Sequence, residues 1–217
     1  MTTGKERLLK EVEEKVGKEI RGMLQEAWEQ FESSRYGIRG DLLHLYDVVE
    51  QVLDHYQEVE IDPPAELVIA LGLHDCDRFY PDAPKLEEFP NRNAYKEEHA
   101  WASTQKAREI LLKSQLESDL ISRILARILV HHANWEHDQW QEIFSTLDER
   151  SFWRVYLKTY LERIGKDRTP EQIKDKMRSK YVDLPDEDKE WVKNQVEKVG
   201  NPTLNRLFTD LVQEFPD

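Results

Sequence analysis

Residues 66–75 read Glu66-Leu67-Val68-Ile69-Ala70-Leu71-Gly72-Leu73-His74-Asp75, and this stretch decides the fold. From Leu67 to Leu73 no polar side chain interrupts the run, so a helix here is apolar nearly all round and belongs in the middle of a protein. It closes on a histidine and an aspartate. Burying an ionised carboxylate is costly unless it is paired or coordinates a metal. Asp75 therefore needs compensation, either a salt bridge to Arg78 three residues on or a cation shared with His74. Gly72 admits the close approach of a neighbouring helix, or else loosens the helix end.

Outward from this segment, every periodic stretch is helical. Residues 5–33 place Leu8, Leu9, Val12, Val16, Ile20, Met23, Leu24, Ala27, Trp28 and Phe31 at three- and four-residue steps, an amphipathic helix. Tyr36-Gly37-Ile38-Arg39-Gly40 breaks it, and Asp41 can cap the helix that carries His44. Residues 79–93, with Pro81, Pro84 and Pro90, read as a loop, and residues 94–113 and 116–133 as two helices. Further helices are expected over 138–146 and 148–164. Thr169-Pro170-Glu171-Gln172, Leu184-Pro185-Asp186-Glu187 and Asn201-Pro202-Thr203 each open another. With no strand pattern, the expected class is all-α, about nine or ten helices in one domain over residues 1–217.

Composition narrows the function. The chain carries a net charge of −13, which argues against a duplex nucleic-acid binder because phosphate contacts need a basic face. No run of 18 apolar residues is present to span a membrane, and residues 1–16 lack the apolar core of a secretory signal. The single cysteine, Cys76, cannot form an internal disulfide and has no flanking base at helical spacing, so it reads as inert. That points to a reducing compartment, most simply the cytoplasm.

The chemistry-bearing residues are His44, His74-Asp75, His99, His131-His132 and Asp148, a set holding five of the seven histidines. Neighbouring helical residues point about 100° apart. His131 and His132 can therefore share one ion only near a helix end, where this pair falls. Core histidines bonded to carbonyls, and Asp148 as a helix N-cap, are the plainer alternatives. Imidazoles together with two carboxylates suit a divalent transition metal such as Mn, Fe, Ni, Co or Zn, as one ion or two.

The order His, His-Asp, His, His-His, Asp over residues 41–153 resembles the HD-domain superfamily of metal-dependent phosphohydrolases. The flanking Leu43-His44-Leu45-Tyr46-Asp47, Ala70-Leu71-Gly72-Leu73-His74-Asp75 and Leu147-Asp148-Glu149-Arg150 agree with it. The resemblance implies a single HD-like helical domain in which His44, His74, Asp75 and Asp148 hold one ion. His99, His131 and His132 would hold a second, bridged by Asp75. It also implies hydrolysis of a nucleotide or other small phosphorylated metabolite by a metal-activated water that Asp75 would orient. By position, Arg78 beside the pair and Arg127 one helical turn before His131 join Asp75 as catalytic candidates. The arginines would counter substrate charge. The lysine that follows the pair in many hydrolytic members is absent, as is the Gly-Tyr-Pro signature of the cyclic-dinucleotide branch. A di-iron oxygenase of the same scaffold and a non-catalytic metal- or ligand-binding protein stay open. Trp135, His137 and Trp140 could roof the pocket, with specificity set by residues 79–93 and 134–139. The aromatic C-terminal segment, with Trp153, Tyr156, Tyr160, Ile164, Ile173 and Met177, is expected to cover the core helices, and the sequence leaves open a homodimer face there.

Overall fold

Every residue from Leu67 to Leu73 is buried, as an apolar run without a polar face requires. In the computed structural model, which describes residues 2–132, 139–161, 169–182 and 184–214, this helix is α4 (Ala65–Leu73). Before it come α1 (Thr2–Val16), α2 (Lys18–Ser33) and α3 (Arg39–Glu58). After it come α5 (Arg92–Leu111), α6 (Ser118–Val130) and α7 (Gln139–Ser151). The chain continues through a π-helical segment (Phe152–Tyr156) into α8 (Leu157–Thr159), α9 (Pro170–Arg178), α10 (Asp186–Val199) and α11 (Pro202–Glu214). No strand occurs among the described residues, so the class is all-α. None of the described helices is long and apolar enough to cross a membrane.

Internal packing divides the chain into two units, Met1–Ser145 and Thr146–Asp217, where the sequence reading treats residues 1–217 as one domain. In the first unit α4 lies at the centre, packed against α2, α3 and α6. Helices α4 and α6 run side by side in the same direction. Glu66 in the first turn of α4 pairs with Arg123 at 2.6 Å and lies 4.0 Å from Arg127. At the other end, the His74 and His131 rings meet at 5.3 Å. Both helices thus finish at the same place.

Two glycines shape this unit. Residues 5–33 do not form one helix. Gly17 adopts a φ of +105°, open to glycine at low cost, and turns α2 back against α1. The apolar spacing runs on across the break, so periodicity alone could not reveal it. Gly72 settles the choice posed by the sequence in favour of close approach. A Cβ there would stand 2.8 Å from Leu24 Cδ2 and 3.4 Å from Val49 Cγ2. The Trp28 indole N–H donates to its carbonyl at 3.1 Å. Asp41 caps α3 from inside the first turn, accepting from the Ile38 N–H at 2.9 Å.

In the second unit Trp153, Tyr156, Tyr160, Ile173 and Met177 are buried, and Ile164 lies outside the described residues. Trp153, Tyr181 and Phe208 form an aromatic cluster with ring separations of 5.4–6.4 Å. Thr169 and Gln172 make the reciprocal cap expected for α9.

Gly72→Ala should destabilise the chain by about 1–2 kcal/mol, because overpacking against a fully buried leucine outweighs the gain in helix propensity. Urea unfolding monitored by far-ultraviolet circular dichroism measures it. An unchanged midpoint would mean that α2 and α4 yield without cost.

Candidate metal centre

The first unit brings six of the seven expected ligands to one place. His44, in the second turn of α3, directs Nε2 to within 3.2 Å of His74 Nε2. Two nitrogens ligating one ion at about 2.1 Å stand about 3.0–3.4 Å apart, so the pair has the spacing of two ligands on a shared cation. Asp75 Oδ2 lies 3.8 Å from His44 Nε2, while Oδ1 lies 3.8 Å from His74 Nε2 and accepts from His99 Nε2 at 2.8 Å. Nitrogens of His99, His131 and His132 lie within 4.8 Å of one another. Asp75 thus stands between two groups of imidazoles, with an oxygen toward each.

Helix ends aim two of these rings by the same device. His74 follows α4 and His131 follows α6, each with helical φ and ψ. A carbonyl can only accept, so His74 Nδ1–H donates to Leu71 O at 2.9 Å and His131 Nδ1–H to Ile128 O at 2.6 Å. Each bond adds a donor to a carbonyl in the last turn of its helix, Ile128 O also accepting the His131 backbone N–H at 3.4 Å, and it fixes the tautomer and turns Nε2 inward. His131 Nε2 is buried and has no hydrogen-bond partner, a loss that a bound cation would repair. Burial, with the charges on His74 and His99, pushes the His131 imidazole down to about 3, so its lone pair is free at neutral pH. His132 lies just past the helix with its ring 3.9 Å from that of His131, the arrangement that adjacent ligands require.

Asp75 sits in a hydrogen-bonded string. Arg78 Nη2 contacts Asp75 Oδ2 at 2.9 Å and Arg78 Nη1 contacts Asp41 Oδ1 at 3.1 Å. On the other side His99 Nδ1 bonds Asp77 Oδ2 at 2.9 Å, and the Ser103 hydroxyl donates to Asp77 Oδ1 at 2.7 Å. Burial alone would raise the Asp75 carboxyl, but Arg78, His74 and His99 hold it well below the usual carboxylate range. Burial disfavours a charged His99, yet Asp77 and Asp75 push it up to about 9. Burial together with Asp77 and Asp75 raises Cys76 well above the ordinary thiol range, and its S–H points to Ser103 O at 3.3 Å, consistent with an inert thiol.

The remaining expected residues are held as follows. The Arg78–Asp75 salt bridge is formed, so Arg78 serves two protein carboxylates. Arg127 faces Glu66, at the end of α4 away from His74. Asp148 belongs to the second unit. It is buried inside α7, which excludes a cap role, and it pairs there with Lys180. Trp135 and His137 lie outside the described residues, whereas Trp140 packs against Tyr56 with ring centroids 6.3 Å apart. Phe144 closes one side of the centre, its ring 5.4 Å from that of His74 and 5.9 Å from that of His131. Asp77 and Ser103 carry no motif in the sequence and become partners only because α5 packs against the 3₁₀ turn Cys76–Phe79. No protein-family model matches the chain, and no curated protein and no solved structure matches it either.

Arg78→Met should cost the metal-free protein about 2 kcal/mol, since it leaves Asp75 short of one buried partner. Saturating Mn²⁺ or Zn²⁺ should recover part of that loss. Thermal unfolding with and without the ion checks both, and a variant as stable as wild type in each condition would contradict the role given to Arg78.

Proposed function

We propose that the chain is a metal-dependent phosphohydrolase acting on a nucleotide or another small phosphorylated metabolite. The observation that carries the reading is Asp75, a buried carboxylate with one oxygen toward His44 and the other toward His74 and His99, beside the unpartnered Nε2 of His131. The donor set of imidazoles and a carboxylate fits one or two divalent transition ions, Mn, Fe, Ni, Co or Zn. A bound ion of this kind supplies Lewis acidity toward phosphoryl oxygens and lowers the pKa of water toward neutrality.

The protein's own residues do the rest. His74 and His131 are held in one tautomer by Leu71 O and Ile128 O, so their Nε2 atoms are ready without reorganisation. Asp75, kept ionised by Arg78, presents an acceptor that can orient an attacking water for in-line displacement at phosphorus. Phe144 and the buried α4 exclude bulk water from one side, which strengthens every electrostatic contact within. The −13 net charge disfavours a polyanionic duplex as substrate but not a small phosphate ester drawn to a local cation. The buried, reduced Cys76 fits the cytoplasm as the proposed setting.

Elemental analysis of the purified protein should find a transition metal, and a His74→Ala, Asp75→Ala variant should lose it with its circular dichroism unchanged. A panel of nucleotides and sugar phosphates with added Mn²⁺, under anaerobic conditions, should release inorganic phosphate from at least one member, with turnover reduced at least a hundredfold in the variant. Oxygen uptake with a near-ultraviolet iron band and no phosphate release would replace hydrolysis by oxygenase chemistry. Metal binding without turnover of either kind would leave a binding protein.

A further inference from the structure

His99 is held differently from its neighbours. His74 and His131 lean on main-chain carbonyls, whereas His99 Nδ1 bonds a side-chain carboxylate, Asp77 Oδ2, at 2.9 Å. Asp77 is 1% exposed and its other oxygen accepts from the Ser103 hydroxyl at 2.7 Å. His99 and Ser103 lie one turn apart on the same face of α5, and Asp77 reaches them from the 3₁₀ turn Cys76–Phe79. Tyr95, one turn before His99, stacks on the imidazole at 5.8 Å with planes 7° apart, which restrains ring rotation.

From this we infer that Asp77, braced by Ser103, is a positioning residue that makes Nε2 the ligand nitrogen of His99 and so sets the affinity of the cation His99 shares with His131 and His132. The inference rests on the metal reading above. An imidazole binds a metal only through an unprotonated nitrogen, and the hydrogen bond at the other nitrogen decides which one that is. A carboxylate acceptor at Nδ1 keeps the proton there and makes Nε2 more basic than a carbonyl would. Nε2 in turn faces Asp75 Oδ1 at 2.8 Å, with the His131 and His132 rings 5.6 and 5.5 Å away. His99 Nε2 would hold the cation in place of its proton, while Asp77 would keep its bond to Nδ1–H. Ser103 fixes the plane of the Asp77 carboxylate without adding charge.

The test is competitive Zn²⁺ titration of the metal-stripped full-length chain, wild type against Asp77→Ala and Ser103→Ala, with stoichiometry by elemental analysis. Long-range ¹H–¹⁵N spectra of the zinc-loaded proteins read the histidine tautomers. For Asp77→Ala the weakest bound ion should lose 10- to 100-fold in affinity, and the His99 resonance should leave the Nδ1–H form. Asp77→Asn, which retains an acceptor oxygen, should recover part of the affinity. Ser103→Ala should lose affinity in the same direction by less. Wild-type affinity for every ion in Asp77→Ala, with the Nδ1–H tautomer intact, would overturn the inference while leaving the metal reading standing. Should Asp77→Ala fail to fold, unchanged affinity and tautomer in Ser103→Ala would overturn it equally. A wild-type chain that takes up no metal removes the metal reading, and this one with it.

Discussion

The charge on Asp75, 3% exposed at the end of the most apolar of the described helices, is the constraint around which the first unit is organised. An ionised group in that position persists only if its surroundings compensate it. Asp41, Arg78, Asp75, His99, Asp77 and Ser103 form a continuous string in which acidic and basic groups alternate. With His99 at about 9, the string holds three carboxylates against one guanidinium and one imidazolium, an excess of one negative charge. Partial negative charge at the C-terminal ends of α4 and α6 adds to it. Such a place favours a cation.

The two helix ends explain why the ligands converge. α4 and α6 point the same way and stop side by side, and each stops on a histidine. Each ring spends its Nδ1–H on a carbonyl three residues back, a bond that caps the helix and aims the ring at once. His132 and Phe144 then occupy the space past the ends, and α5 supplies His99 from the side. Gly72 permits the packing that brings α4 close to α2, so the end of α4 is set by the core rather than by the ligands.

The readable parts of the sequence were those with a strong local signature. The apolar run Leu67–Leu73 announced a central helix, and the five scarce histidines, three of them at helix ends, together with Asp75 announced the six groups that meet in the first unit. The turn at Gly17 was hidden because the three- and four-residue spacing of apolar residues continues on both sides of it, and spacing carries no information on the sign of φ. Residues 138–164 read as two helices divided at Asp148, yet α7 runs through that residue, since an aspartate can cap a helix but does not interrupt one. Asp77 was one acid among 44 aspartates and glutamates, and its meaning comes only from α5 lying opposite the turn that carries it.

The provenance of the ligands links affinity to folding. His44 comes from α3, His74 and Asp75 from the end of α4, His99 from α5, and His131 and His132 from the end of α6. The ligands meet only when these segments pack together, so an unfolded chain has little affinity for a cation. A ligand that binds only the folded form stabilises it by an amount that grows with the logarithm of its concentration, about 4 kcal/mol at a thousand times Kd. That is comparable to a large share of the net stability of a domain this size. An ion held here would therefore tie together four helices that the buried α4 already gathers. The carboxylate string would favour that ion, because it places the excess negative charge where the helices end.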